Sequence, residues 1–395
     1  MTNLNKTKNT SRQWDLDWIK VLVMLIVFLY HCSMFVNPFD WHIKNNQIDT
    51  SYMLAFSLLV GSWMMPVFFA ISGISTSFAL RKRSGGAFVR ERLSRLGVPL
   101  LLGMFVLAPP QVYVERESTG HFTGSFLQFL PHYFDGVYVE IGGTGNFSIA
   151  GHHLWYLLLL LVFSVVTLPV FVRLRKEWKD KPFGHLQYGL LLIPLLAAAL
   201  TVNDVLNLAS WGIVLYLLIY SYGFLFFSRP AFRSYVHRSG WWTGASFGAS
   251  LLVCVSWPMI GGFPPGGTVE SLLYTALRMF MVWNAMFFIF YVGQRWLTRK
   301  SGFLTYASEA LMPFYVLHQP VIVLMGYGLY QLELPLGTKM LLLILGSFAI
   351  IMGMYHFVVR RVEVVQFMLG NPVNARKGMA TSEMNRRGRS TYGAS

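Results

Sequence analysis

This chain is poor in charge. Of its 395 residues only 12% are Asp, Glu, Lys or Arg, about half of the roughly 25% found in soluble proteins. Cysteine is nearly absent: Cys32 and Cys254 both sit inside apolar runs, which excludes a disulfide-stapled scaffold. No Walker-type loop, dinucleotide-binding glycine pattern, HExxH metal motif or Gly-x-Ser-x-Gly elbow occurs in a credible context, so no metal is expected. No internal repeat is visible, which disfavours the transporters built from two related halves. Acidic residues number 17 against 32 basic ones, for a net charge of +15. In a soluble protein that balance would suggest nucleic acid as partner.

What fills the space is apolar. Hydrophobic residues make up 54% of the chain and the mean hydropathy is +0.49. They come in blocks close to the twenty or so residues needed to cross a bilayer. Ten such blocks run approximately over 18–36, 53–80, 96–114, 154–172, 187–202, 209–228, 241–260, 271–296, 304–330 and 340–359. The expected fold is an all-α, polytopic bundle of about ten transmembrane helices, with the lipid bilayer as its first partner. Basic residues cluster in alternate connections: all 32 except Lys44, Arg116, Lys339 and Arg278 fall on one side. Positive charge stays in the cytoplasm, so nucleic acid drops out and both termini are expected inside, in a multi-pass protein of the inner (cytoplasmic) membrane. Residues 1–17 form a polar cytoplasmic tail, 18–361 the membrane domain, and 362–395 a loose cytoplasmic tail. Because 1–17 is polar and the run after it lacks a small-residue cleavage site, the first helix is expected to act as its own insertion signal. The long outer connection from Glu115 to His153 is rich in glycine and aromatics, and a loop of that length without obvious regular structure is usually functional or disordered.

A charge or an imidazole inside the bilayer is a functional candidate by default. In the first block Asp17, Lys20 and His31 share one helical stripe, with Lys20 and His31 about 16 Å apart along the axis. The plain reading is an i,i+3 ion pair at the water boundary and a histidine bonded to a neighbouring helix. The functional reading is a cation that holds a phosphorylated cofactor while an imidazole deeper in meets its reactive end, taking a proton from a hydroxyl that attacks a thioester. Arg92 and Arg95 stand at i,i+3, where two guanidinium forks can grip a phosphate cluster; an orienting positive loop explains the charge equally well. Other candidates are His153 beside Trp155 and Tyr156, Tyr315 with His318, and Arg278, which needs an acidic or phosphate partner. His-Leu-Trp-Tyr is also what an interfacial aromatic belt looks like. Ser72-Gly73 suits close helix packing or a polar kink.

Taken in order, these segments resemble the type 3 family of integral-membrane acyltransferases, which pass acyl groups to sugars and other hydroxyl acceptors. The resemblance runs from Arg12 to about Arg361. Arg12…Leu16-Asp17-Trp18-Ile19-Lys20…Tyr30-His31 is similar to the family's first helix, in which a basic residue, normally arginine, precedes an essential histidine by eleven positions. Lys20 keeps that charge and loses the bidentate fork. Phe68-Phe69-Ala70-Ile71-Ser72-Gly73 looks like the second-helix signature, and Arg92-Leu93-Ser94-Arg95 matches the Arg-x-x-Arg pattern. His153-Leu154-Trp155-Tyr156-Leu157 and Tyr315-Val316-Leu317-His318-Gln319-Pro320 most resemble the branch that adds succinyl groups to periplasmic glucans.

The resemblance implies acyl-CoA, as acetyl-CoA or succinyl-CoA, on the cytoplasmic side, a catalytic His31, and a carbohydrate acceptor reached from outside. On that reading His31 acts with Asp17, which orients Lys20. Lys20, Arg92, Arg95, Arg12 and Ser72 hold the CoA, and His153, Trp155, Tyr315, His318 and Arg278 face the acceptor. The rival from another class is a proton-coupled transporter or exporter with Asp17, His31 and His318 as its relay.

Overall fold

A chain of apolar blocks punctuated by short polar connections satisfies its backbone in lipid only by forming helices, and the computed structural model of the protein is built almost wholly of them. It describes residues 13–174 and 182–371. In chain order the helices are α1 (Trp14–Ser33), α2 (Tyr52–Gly61), α3 (Met64–Lys82), α4 (Gly85–Ser118), α5 (Phe126–His132), α6 (Trp155–Val166), α7 (Leu168–Leu174), α8 (His185–Thr201), α9 (Ile213–Phe227), α10 (Pro230–Gly261), α11 (Val269–Trp296), α12 (Gly302–Leu329), α13 (Leu336–Val359) and α14 (Glu363–Met368). Strands β1 (Asn207–Leu208) and β2 (Trp211–Gly212) form a two-rung antiparallel hairpin before α9.

Helix occupies every one of the ten apolar blocks. Among the described residues seven helices are long and apolar enough to cross a membrane, or up to eight if α6 and α7 count as one span bent by 54°. α8 and α9 are shorter apolar helices. The protein is thus a multi-pass helical membrane protein.

Boundaries differ from the sequence expectation where local chemistry overrides hydropathy. α1 begins at Trp14, inside the segment expected to be tail, because Asp15 pairs with Arg233 at 2.8 Å and Asp17 with Lys20 at 2.7 Å. α4 starts at Gly85, so Arg92 and Arg95 lie on the helix itself. It widens into π-helical turns at Leu93–Gly97 and Gly103–Leu107, shortly before Pro99 and Pro109; a loosened turn accommodates rings that cannot donate to the preceding carbonyls. The 115–153 connection is structured: α5 packs Phe129 and Tyr133 on Ala108 and Val112 of α4. The expected loose tail is, over its first ten residues, a docked segment. α14 folds back, Asn371 Nδ2 donates to the Glu309 carbonyl at 2.9 Å, and Gly370 lies against the Arg95 carbonyl. Arg12, the rest of 1–12, the basic residues within 175–181 and the tail from 372 onward lie outside the described residues.

α1 sits at the centre, packed on α2 and α3 on one side and on α11, α12 and α13 on the other. The first and last described residues share one face of the bundle, where Lys300 lies over Trp14 and Gly370 meets Arg95. The opposite face carries the 34–51 segment, the 119–151 loop and the β1–β2 hairpin. The closest helix contact is between α3 and α9. A Cβ at Gly73 would stand 2.0 Å from the Tyr220 carbonyl oxygen, and one at Gly223 would stand 2.2 Å from that of Ala70. Small residues that let backbones touch are the usual cement between membrane helices. Gly73→Ala is therefore expected to push the two helices apart at a cost of about 1–3 kcal/mol or more, seen as a lowered thermal unfolding temperature in detergent.

Candidate active site

Backbone hydrogen bonding within its own helix determines which nitrogen His31 can offer. Its Nδ1 donates to the Val27 carbonyl at 2.8 Å; a carbonyl only accepts, so the proton sits on Nδ1 and Nε2 carries the lone pair. The ring points inward, 4.8 Å from the ring of His318 and 5.4 Å from Trp41. His318 repeats the arrangement, with Nδ1 donating to the Tyr315 carbonyl at 2.6 Å and Nε2 buried without a hydrogen-bond partner. His153 stands 4.9 Å from His318, ring to ring.

Proline places His153. Pro320 inside α12 has no N–H for the Val316 carbonyl one turn back. His153 Nε2 takes that oxygen at 3.1 Å, together with the Tyr315 carbonyl at 3.1 Å, which leaves Nδ1 as its basic nitrogen. The Tyr315 hydroxyl closes the loop by donating to the His153 carbonyl at 2.5 Å. Residues 31, 153 and 318, far apart in sequence, thus bring three neutral imidazoles to one point, each with a free lone pair.

Below them runs a slot of about 160 Å³. Lys20 stands at one end; Val27 and Tyr315 stand at the other, beneath the imidazoles. Lys20 to Val27 is seven residues, about 10 Å along α1. The walls are mostly apolar (Met24, Met65, Phe68, Leu160, Met312), with Ser72 and Tyr156 as polar points bonded to each other at 2.6 Å. Arg92 reaches into the bundle and donates to Thr76 Oγ1 at 3.0 Å, and Thr76 meets the Tyr220 hydroxyl at 3.0 Å. Arg95 stays at the surface with Glu91, 3.3 Å away, which also binds Arg83.

The predicted residues therefore divide. His31, His153, His318 and Tyr315 meet; Lys20, Ser72 and Arg92 line or flank the slot beneath. Asp17 pairs with Lys20 at 2.7 Å, four helical turns from His31. Trp155 packs its ring on Tyr216 and Phe69, at 5.6 and 6.3 Å, and its neighbour Tyr156 takes the place in the slot. Arg278 faces a different cavity.

Sequence reasoning missed a second polar layer above the histidines. His42 and Glu115 are buried and joined, Nδ1 to Oε2, at 2.6 Å. Gln319 Nε2 donates to His42 Nε2 at 3.1 Å and to Gln111 Oε1 at 3.2 Å. Glu115 also accepts from Arg116 at 3.0 Å, from Gly142 N at 2.9 Å and from the Tyr138 hydroxyl at 2.8 Å. Burial first, and then the Glu115 carboxylate, hold the Tyr138 phenol far above its ordinary range, so it stays a donor. Arg116 continues to Asn146 and Gly145 in the loop. His152 rests on His42, ring to ring at 4.6 Å, in the left-handed region at φ 55°, a strained geometry typical of functional sites. The one available signal was Glu115-Arg116, two adjacent charges closing an apolar block.

A multi-pass membrane enzyme for acyl transfer is the class this arrangement fits, and the comparisons define it: the chain belongs to the acyltransferase family, whose acyltransferase-domain model matches residues 13–356. Among curated proteins it is similar to glucans biosynthesis protein C of Shigella dysenteriae serotype 1 (strain Sd197), 23% identical over 342 residues, covering 80% of this chain and 83% of that protein. The proteins of that name from Escherichia coli K12 and Escherichia coli O139:H28 are also 23% identical, over 341 residues, with the same coverage. No solved structure matches the chain.

The layer above the histidines makes its own prediction. Glu115→Ala strands Arg116 without its buried counterion and the His42 Nδ1–H without its acceptor, and should cost about 3–5 kcal/mol. Limited proteolysis should then cut the 119–151 loop at protease concentrations that leave the parent protein intact.

Proposed function

We propose that the protein is an O-acyltransferase of the inner membrane that moves an acetyl or succinyl group from cytoplasmic acyl-CoA to a hydroxyl of a carbohydrate, such as a glucan, on the other side. The observation that carries this reading is the slot itself: a cation at the basic end and an apolar shaft that reaches Val27 and Tyr315, the residues whose carbonyls hold His31 and His318. An acyl-pantetheine arm is a thin, mostly apolar chain with phosphates at its tail, and that shape and polarity suit the slot. The relatives' name, glucans biosynthesis protein C, supports a glucan or similar acceptor, and the concentration of Arg and Lys on the face where the slot opens supports cytoplasmic entry.

In this reading Lys20, oriented by Asp17, and Arg92 with Arg95 bind the phosphates; Arg12 precedes them in the chain. Ser72 and Tyr156 hydrogen-bond along the arm. His31 Nε2 takes the proton of the acceptor hydroxyl as that oxygen bonds to the thioester carbonyl carbon. The C–S bond then breaks, and the proton passes from His31 to the departing sulfur, giving ester and thiol. A second route within the same site has His31 carry the acyl group transiently. His318 and His153 keep the acceptor side basic and polar, and Tyr315 fixes His153 for that role. The loop stapled by Glu115 forms the wall toward the acceptor.

Three measurements test this. His31→Ala should lower acyl transfer by about 10²–10⁴-fold while membrane insertion and unfolding temperature stay unchanged; full turnover by the variant refutes the assignment. Lys20→Ala should raise KM for acyl-CoA by about tenfold, with kcat much less affected. Mass spectrometry of surface glycans from cells with and without the protein identifies the ester.

A further inference from the structure

A cavity of about 350 Å³ lies apart from the slot, and the two share no lining residue. It opens toward the face that carries the hairpin and the 119–151 loop. Tyr30 of α1 forms part of its wall while the next residue, His31, looks the other way into the histidine site. One helix therefore separates the two spaces.

Arg278 of α11 lies at the cavity's floor, nine residues into its helix, about 14 Å from the helix start. A guanidinium at that depth is costly unless it is paired. Arg278 has no acidic partner: among the described residues no carboxylate comes within ion-pair distance of it, and none of the residues lining the cavity is acidic. Its Nε and Nη2 both rest on one hydroxyl, Ser62 Oγ, at 3.4 and 3.1 Å, and the plane is held between Trp211, 4.8 Å from the ring centre, and Tyr274, 5.8 Å. Aromatic faces and one hydroxyl fix the direction of the fork without neutralising its charge. Facing it are neutral hydrogen-bonding groups, Ser210, Asn203 and Asn207; Ser57 spends its hydroxyl within the wall, donating to the Met53 carbonyl at 2.8 Å and accepting from Asn37 Nδ2 at 3.0 Å. Asn203 spends its Oδ1 on the Gly212 N–H at 3.0 Å, so its NH2 is free for the cavity. The hairpin that supplies this wall holds Leu206, Ala209 and Ser210 at positive φ, three non-glycine residues in the left-handed region.

We propose that this cavity is a second binding site, for a polar ligand carrying one carboxylate or phosphate. Arg278 is its counterion, and the asparagine and serine groups take the ligand's neutral oxygens. The site is independent of the acyl-donor slot and stands whether or not the donor is a CoA thioester. The shared chemistry, an anion on a hydroxyl-rich body, fits either a free solute or the headgroup of a phosphatidylglycerol-type lipid.

The test uses the full chain in phosphatidylcholine nanodiscs and isothermal titration with inorganic phosphate, succinate and, as the neutral control, glucose. Saturable binding of at least one anion and none of glucose is expected. Arg278→Gln should weaken it at least tenfold, Arg278→Lys by less, and Asn207→Asp, which sets a negative charge at the rim of the cavity, at least threefold. Asn207→Asp keeps the test sharp should Arg278→Gln fail to fold. Nanodiscs containing phosphatidylglycerol separate the sources: loss of phosphate binding there assigns the site to the lipid, and undiminished binding assigns it to a solute. His31→Ala should bind the anion as the parent does, so failure of the acyltransfer reading leaves this result untouched. Absence of saturable anion binding, or binding indifferent to both Arg278→Gln and Asn207→Asp, overturns the proposal.

Discussion

An imidazole in a bilayer survives by giving its N–H to a carbonyl, and the rest of the site follows from which carbonyl is available. His31 and His318 use the turn of helix just before them, as Ser and Thr do in membrane helices, and each is thereby locked as a base with its lone pair turned away from its own backbone. His153 is in a short turn before α6 and has no such carbonyl of its own. It borrows one that Pro320 has released. The histidine cluster is thus a by-product of backbone accounting: three acceptors consumed, three lone pairs exposed, no formal charge placed in lipid.

Charge is confined to the two ends of this column. At the basic end Asp15–Arg233 ties α1 to α10, and Asp17 pairs with Lys20 within α1. At the other end Glu115 gathers His42, Arg116, Tyr138 and a loop amide around one carboxylate. In the acyltransfer reading the two ends have different tasks. One must attract a polyanion and release it, so its ions remain partly exposed; the other must hold a long loop over the site, so its ions are buried and fully bonded. Arg278 belongs to neither end, and like Arg92 it rests on a hydroxyl and not on a carboxylate.

Much of this was legible in the sequence because it is periodic or local. All ten apolar blocks proved helical, since hydropathy over twenty residues reports the same physics that forms the helix. The stripe of Asp17, Lys20 and His31 followed from 100° per residue on one uninterrupted helix, and Gly73 after two phenylalanines reported a close approach that α9 completes. What failed to show was chemistry made by long-range pairing. His42 and Glu115 are 73 residues apart, in a loop and at a helix end, and neither carries a periodic signal. The choice between Trp155 and Tyr156 turned on 100° of rotation at the start of α6, where a short turn and a left-handed His152 set the phase. Arg92 and Arg95 looked like twin forks at i,i+3; the π-helical turn beginning at Leu93 loosens that spacing, sending one inward to Thr76 and leaving the other outside with Glu91.

Pro320 has one more implication. A proline inside a helix is where that helix bends most easily, and His318 and the two carbonyls that hold His153 all lie just before it in α12. The oxygen it frees is held by His153, so flexing α12 at this joint drags the neighbouring ring along. Tyr315, gripping the His153 carbonyl, makes the linkage a double one. His153 and His318 are therefore tied to one stretch of α12 and His31 to the centrally packed α1, so the spacing of the three rings is set by how those two helices pack, through a joint made by one missing hydrogen.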